Sequence, residues 1–245
     1  MTWLAPAAAA LIGALSLTAC GATSAVSTPV ADAATKTVDK GSEHVEYTGS
    51  VSLAGQTMQM TGVGDFRNDP KLGGLSIKMD GAGQHATVDT VLSGSTVYLR
   101  SPLFSKVVSS GKWLALDLNK AGKRLGVNVT QFAQQSPTDT LQALESAGSV
   151  TKVGEETVGG VSTTHYRAEI DPAKIASVQG TSRIPIDVWI DGDGLLRRLT
   201  ESYSARAAGQ TAATSLTMNL SNYGEQVSVK VPSADETLDM TKLGG

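Results

Sequence analysis

The chain has 245 residues, a net charge of −3 and only 4% aromatic residues, with Ala, Gly, Ser, Thr and Val abundant. That balance excludes a nucleic-acid binder, which needs a basic face, and suits strands and turns better than long helices. With a single cysteine no intrachain disulfide can form, so the fold rests on its core even in an oxidising compartment.

Residues 1–19 read as a signal peptide. Trp3 to Leu17 (WLAPAAAALIGALSL) is apolar yet shorter than the roughly 20 residues of a spanning helix, which fits the h-region of a secretory signal. Met1-Thr2 carries no Lys or Arg, and the usual basic residue is expected upstream. Leu17-Thr18-Ala19-Cys20 resembles the lipobox of bacterial lipoproteins, an apolar residue and two small ones before a cysteine. The resemblance implies that Cys20 is acylated and opens the mature, exported protein, held on the outer face of the plasma membrane by two acyl chains or more. Residues 20–41 then comprise that cysteine, a small-residue tether over Gly21 to Ala34, and a short helix from about Pro29 to Lys40 stopped by Gly41. Residues 42–245 are expected to form one domain.

From His44 onward apolar residues recur at every second position, as in half-buried strands. Val45, Tyr47, Gly49, Val51 and Leu53 share one face, and Ala54-Gly55 turns the chain. In QTMQMTGVGDFR the apolar face carries Met58, Met60, Gly62, Gly64 and Phe66, and its glycines are expected to leave room. The pattern runs on through Leu75, Ile77 and Met79, through Ala86, Val88, Thr90 and Leu92, and through STVYLRS and KWLALDL. Turns such as Asp80-Gly81 and Ser93-Gly94 separate these strands. Between Asn119 and Gly148 the period changes, and Pro137-Thr138, Leu141, Leu144 and Gly148 mark a helical insert. Strands resume with SVTKVGEETV, VSTTHYRAEI, IPIDVWID, GLLRRLTESYSA and ATSLTMNLSNY, with a short helix at Pro172 to Val178. About eleven strands without βαβ alternation predict a mainly β (α+β) fold and exclude a doubly wound sheet.

Little in the chain suggests catalysis or a cofactor. Asp187, Asp191 and Asp193 in DVWIDGDG lack the continuing ligands of a calcium loop and read as a hairpin turn. Ser109 and Lys112 have the spacing of an acyl-enzyme pair but lead into a strand instead of a helix. His44, His85 and His165 are scattered, so no metal is expected. His165 reads as a strand position with its ring hydrogen-bonded or in solvent. Arg197-Arg198 fits a solvated strand face or a contact to anionic headgroups. Gly122 to Gln135 fits a lid or an irregular connection.

Four runs carry a family resemblance: VYLRSPLFSKVVSSGKWLALDL (97–118), GGVSTTHYRAEID (159–171), IPIDVWIDGDGLLRRL (184–199) and NYGEQVSVKVPSADE (222–236). In this order, over nearly all of the mature chain, they resemble the LppX/LprAFG family of mycobacterial-type lipoproteins. The resemblance implies an antiparallel U-shaped half-barrel, similar to the carriers LolA and LolB, with helices across its concave face. It implies an apolar cavity for acyl chains of lipids or lipoglycans, movement of that cargo within the cell envelope, and room for an envelope transporter as partner.

Under that reading the cavity is lined by Tyr47, Val51, Met58, Met60, Phe66, Leu75, Ile77, Met79, Val88 and Leu92. Methionine suits such a space because it adapts to partners of varied shape. The same alternation also describes a solid core, and a one-residue slip would turn each of these side chains outward. Two functions therefore stand: a lipid carrier with a cavity, and an anchored, non-catalytic sensor or protein-interaction module with a filled interior.

Overall fold

Alternating residues between glycine turns produce antiparallel strands because side chains two apart share a face, and a buried face fixes the register. The computed structural model describes residues 28–81, 83–105, 111–118, 149–170, 184–207 and 210–240. The chain starts with helix α1 (Pro29–Asp39) and continues with β1 (Ser42–Leu53), β2 (Gln56–Arg67), β3 (Leu72–Gly81), β4 (Gln84–Ser93), β5 (Thr96–Arg100) and β6 (Trp113–Asp117). Then come β7 (Ser149–Val158), β8 (Val161–Ile170), β9 (Ile184–Asp191), β10 (Leu196–Ala207), β11 (Gln210–Ser221) and β12 (Thr237–Asp239).

Among the described residues all strands lie in one open sheet of twelve, in the order β12-β6-β5-β4-β3-β2-β1-β11-β10-β9-β8-β7. The expected mainly β, antiparallel fold is thus present, with one strand more than the sequence suggested. The additional strand, β12, pairs parallel with β6 through Thr237 and Trp113. The β1–β2 hairpin turns at Ala54-Gly55, both with positive φ, the geometry that matches the twist of a two-residue hairpin.

Helix α1 covers one end of the sheet's apolar face. The Thr28 hydroxyl caps it by accepting from Ala31 N at 3.2 Å, and Pro29 occupies the first turn. Val30, Ala33 and Ala34 are buried against Val45, Leu75, Ile186, Val188, Leu196, Leu199, Met218 and Leu220. Thr37 lies fully buried at the helix end, where its hydroxyl accepts the Leu196 N–H at 3.0 Å. Asn68 ties down the helix exit, donating from its side chain to Val38 O at 3.1 Å and from its backbone to Gly41 O at 2.9 Å.

After β11 the chain forms a strap under the same end. Gly224 N donates to Ser42 O at 3.0 Å and the Ser42 hydroxyl to Glu225 O at 2.6 Å. Val229 then lies over Gly74 on the sheet's other face, where a Cβ would sit 3.2 Å from Val229 Cγ2. Ser233 and Glu236 form a capping box that leads into β12.

The expected helical insert (119–148), lid (122–135) and short helix (172–178) lie outside the described residues, as do Ser109, the signal and Cys20.

Replacing Thr37 with Val keeps the shape and strands the Leu196 N–H in the core. Urea denaturation of Thr37→Val is expected to show a loss of about 1–3 kcal/mol.

Candidate functional site

The cross-strand register assigns every strand residue to a face. Tyr47 stands opposite Gly62 and Met218, Gly49 opposite Met60 and Leu216, and Val51 opposite Met58 and Thr214. Gly62 pairs with Ile77, Gly64 with Leu75 and Met60 with Met79, and on β4 Ile77 meets Val88 while Gly73 meets Leu92. Because directly paired residues project to the same side, Tyr47, Val51, Met58, Met60, Phe66, Leu75, Ile77, Met79, Val88 and Leu92 all share the face on which α1 packs.

That face is not uniform. Phe66, Leu75 and Leu92 are buried, and the first two belong to the core beneath α1. Tyr47 and Ile77 pack at the margin of that core. Farther along the strands Val51, Met58, Met60, Met79 and Val88 are only half-buried. The apolar surface thus extends from a filled end into a half-open stretch whose most adaptable side chains are methionines.

The glycines do not supply the room expected of them. A Cβ at Gly64 would collide with the Gly74 carbonyl oxygen, and one at Gly62 would lie 3.2 Å from both Ile77 Cγ1 and Ser76 O. The Phe66 ring occupies the space above Gly73, as aromatic side chains do over strand glycines. These positions permit close approach of strands and neighbouring side chains, so among the described residues the half-open stretch does not arise from Gly62 or Gly64.

Sequence reasoning stopped at β4, whereas the same face continues across β11, β10 and β9. Leu216 pairs with Glu201 and Thr214 with Tyr203, and Glu201 pairs with Ile186. Burial pushes the Glu201 carboxyl above the usual carboxylate range. The Tyr203 phenol is raised by burial and by Glu201, and that of Tyr47 by burial and then by Glu43. The signal was the alternation Leu199, Glu201, Tyr203, with its phase set by an extra residue, Arg197, between the Leu196–Ile190 and Arg198–Trp189 pairs.

The two arginines at that bulge face opposite tasks. Arg197 Nε donates to Asp191 Oδ2 at 2.6 Å and its guanidinium lies 5.1 Å over the Tyr223 ring, while the Tyr223 hydroxyl donates to Leu196 O. Arg198 donates to Asn219 Oδ1 at 2.7 Å on the polar face. Neither is a plainly solvated strand arginine. The DGDG run forms the β9–β10 turn, with Asp191 Oδ1 accepting from Asp193 N and Leu195 N at 3.0 and 2.9 Å.

On the polar face a side-chain chain joins the β7 wing. His165 places Nδ1 2.9 Å from Glu156 Oε1 and Nε2 2.9 Å from Asp187 Oδ1, and stacks on Trp189 at 4.2 Å. Trp189 Nε1 donates to Glu156 Oε2 at 2.8 Å, and Arg167 Nε to Asp187 Oδ1 at 2.9 Å. Burial works to raise Asp187, but hydrogen bonds from Arg167 and His165 outweigh it and hold the carboxyl below its ordinary value. Hydrogen bonds from Trp189 and His165 likewise lower Glu156. The other wing has its own chain: the Ser76 hydroxyl donates to Asp89, Arg100 donates to Asp89 at 3.0 Å, and the guanidinium lies 4.3 Å over Trp113. Among the described residues no group of His, Cys, Asp and Glu has the arrangement of a metal site.

Similarity to known proteins accords with this geometry. The sequence model of LppX_LprAFG lipoproteins matches residues 25–229. The crystal structure of LprF from Mycobacterium bovis aligns over 84% of this chain and 96% of its own, with a TM-score of 0.54 and 15% identity. That of LppX from Mycobacterium tuberculosis aligns over 83% and 100%, with a TM-score of 0.52 and 18% identity. At these identities the likeness is one of fold. An uncharacterised 31.2 kDa protein of Streptomyces griseus is 30% identical over 151 residues, 53% of this chain and 48% of that protein. The chain spans about half the length of the curated relatives it matches.

Two outcomes follow from these contacts. Gly64→Leu is expected to lower the melting temperature, because its Cβ meets backbone; an unchanged melt would contradict the close approach. Asp187 has a depressed pKa, so its stabilisation is present above the unfolded value of about 3.8 and is lost as pH falls through the folded one. Asp187→Asn should therefore melt earlier than the parent near neutral pH, with the gap closing in acid, as read by thermal melts across that range.

Proposed function

This chain belongs to the LppX_LprAFG lipoprotein family, and from that premise we propose that it is a membrane-anchored carrier of acyl chains. In this reading Cys20 holds the protein on the outer face of the plasma membrane, and the domain from residue 42 onward takes up lipids or lipoglycans and moves them within the cell envelope. The observation that carries the proposal is the half-open part of the apolar face, where Val51, Met58, Met60, Met79 and Val88 continue the core without being buried by it.

The energetics suit cargo without a polar motif. Each buried CH₂ contributes about 0.8 kcal/mol, so a chain of a dozen carbons gains about 10 kcal/mol, comparable with what it leaves in a bilayer. The exchange is then near balance, as a carrier requires, and an envelope transporter or acceptor membrane sets its direction. Binding and release need no bond chemistry. The filled end beneath α1 provides the stability that the half-open end lacks.

The test is native mass spectrometry of the protein after incubation with an envelope lipid extract. A co-purifying acylated ligand, lost on denaturation, is expected, and Met60→Trp should weaken its affinity about tenfold, equivalent to about 1.4 kcal/mol, with an unchanged melting temperature. A clean apo mass after incubation would overturn the carrier and favour a sensor or protein-interaction module.

A further inference from the structure

Glu201 is out of place by composition. It stands on the apolar face of β10, between Ile186 on β9 and Leu216 on β11, in a cross-strand row that continues through Gly49 and Met60 to Met79. Its neighbours along β10 on that face are Leu199 and Tyr203. No hydrogen bond or ion pair engages its carboxyl among the described residues. The inward residues of β9 that flank it, Ile186 and Val188, and those of β11, Thr214, Leu216 and Met218, carry no charge; Tyr203 is the adjacent titratable group, and Tyr47 lies beyond β11.

Glu201 is half-buried, so its ionised form gives up part of its hydration to apolar neighbours, whereas the neutral acid keeps one O–H donor to offer. Glu201 on β10 and Met60 on β2 are three strand spacings apart, about 14 Å across the sheet. A chain lying across the methionine stretch would bring its linkage oxygens to the Glu201 side.

Resting on the carrier reading, we propose that Glu201 is a specificity residue: as a neutral acid it donates a hydrogen bond to the ester carbonyl of an uncharged acylated polyol, such as an acylglycerol. A phosphate or free carboxylate at the same place would meet a group that can turn anionic, so neutral ester lipids are favoured there. Burial, which raises the carboxyl's pKa, widens the pH range over which the donor is present. The donor disappears, and the preference with it, as pH rises above that value.

The full chain in detergent solution is offered dioleoylglycerol or its di-ether analogue, which has the same chains and no carbonyl, and bound lipid is counted by native mass spectrometry. At about pH 5 the protein is expected to favour the ester about three- to tenfold, and at about pH 8 to favour it less. Glu201→Gln, which keeps a donor that does not titrate, should retain the preference at both pH values, and Glu201→Leu should lose it at both. Equal uptake of ester and ether lipid by the parent, or a preference that survives in Glu201→Leu, overturns the proposal while leaving the carrier reading intact. Uptake of neither lipid overturns both.

Discussion

Parity is the constraint on which the molecule depends. In an antiparallel sheet held in register, every residue is committed to one of two faces, and the commitment passes unbroken from strand to strand. Here it runs from β4 to β8, so that apolar residues on one side meet α1 and the half-open stretch, while Ser, Thr, His, Asp and Arg occupy the other. The one irregularity inside this span, the Arg197 bulge, is itself fixed by Asp191, Tyr223 and Leu196.

Apolar side chains that stay half-buried, such as Val51, Met58, Met60, Met79 and Val88, cannot contribute their full hydrophobic stabilisation, and no disulfide substitutes for it. The structure compensates in two places. One is the end closed by α1 and the strap, where Val30, Val45, Ile186, Val188, Leu196 and Leu199 are almost fully buried. The other is the polar face, where the His165 and Arg100 chains cross several strands in each wing and hydroxyl pairs such as Thr200–Thr217 and Ser202–Ser215 lie between them. Charge-assisted bonds of this kind are stronger than neutral ones, and they hold the sheet together without filling its apolar side.

Much of this was legible in the sequence. Strands bounded by glycine turns were placed nearly to the residue, because alternation and positive-φ turns are local signals. The missing strand was not, since β12 is three residues long and pairs with a strand more than a hundred residues earlier. Glycines were misread because a residue without a side chain looks like space, whereas the register shows what occupies it: Leu75 and a carbonyl near Gly64, the Phe66 ring at Gly73, Val229 at Gly74. Half of the apolar face escaped notice because a bulge resets the phase of β10 and places a glutamate in the apolar position. The local pattern there looks like noise until β9 and β11 are laid alongside.

The two margins of the sheet are finished differently. On one side β12 covers β6 with a short parallel segment. On the other, β7 bears a bulge between Lys152 and Gly154, the Lys152–Glu155 ion pair, and Val153 turned out to 52% exposure. An open sheet of this length offers free backbone groups to any second sheet, and bulges and charges at the rim are how natural proteins refuse that pairing. Proteins gathered on a two-dimensional surface meet far more often than they do in solution. The bulge and charges along β7 work against edge-to-edge pairing of two such sheets wherever copies of the protein meet.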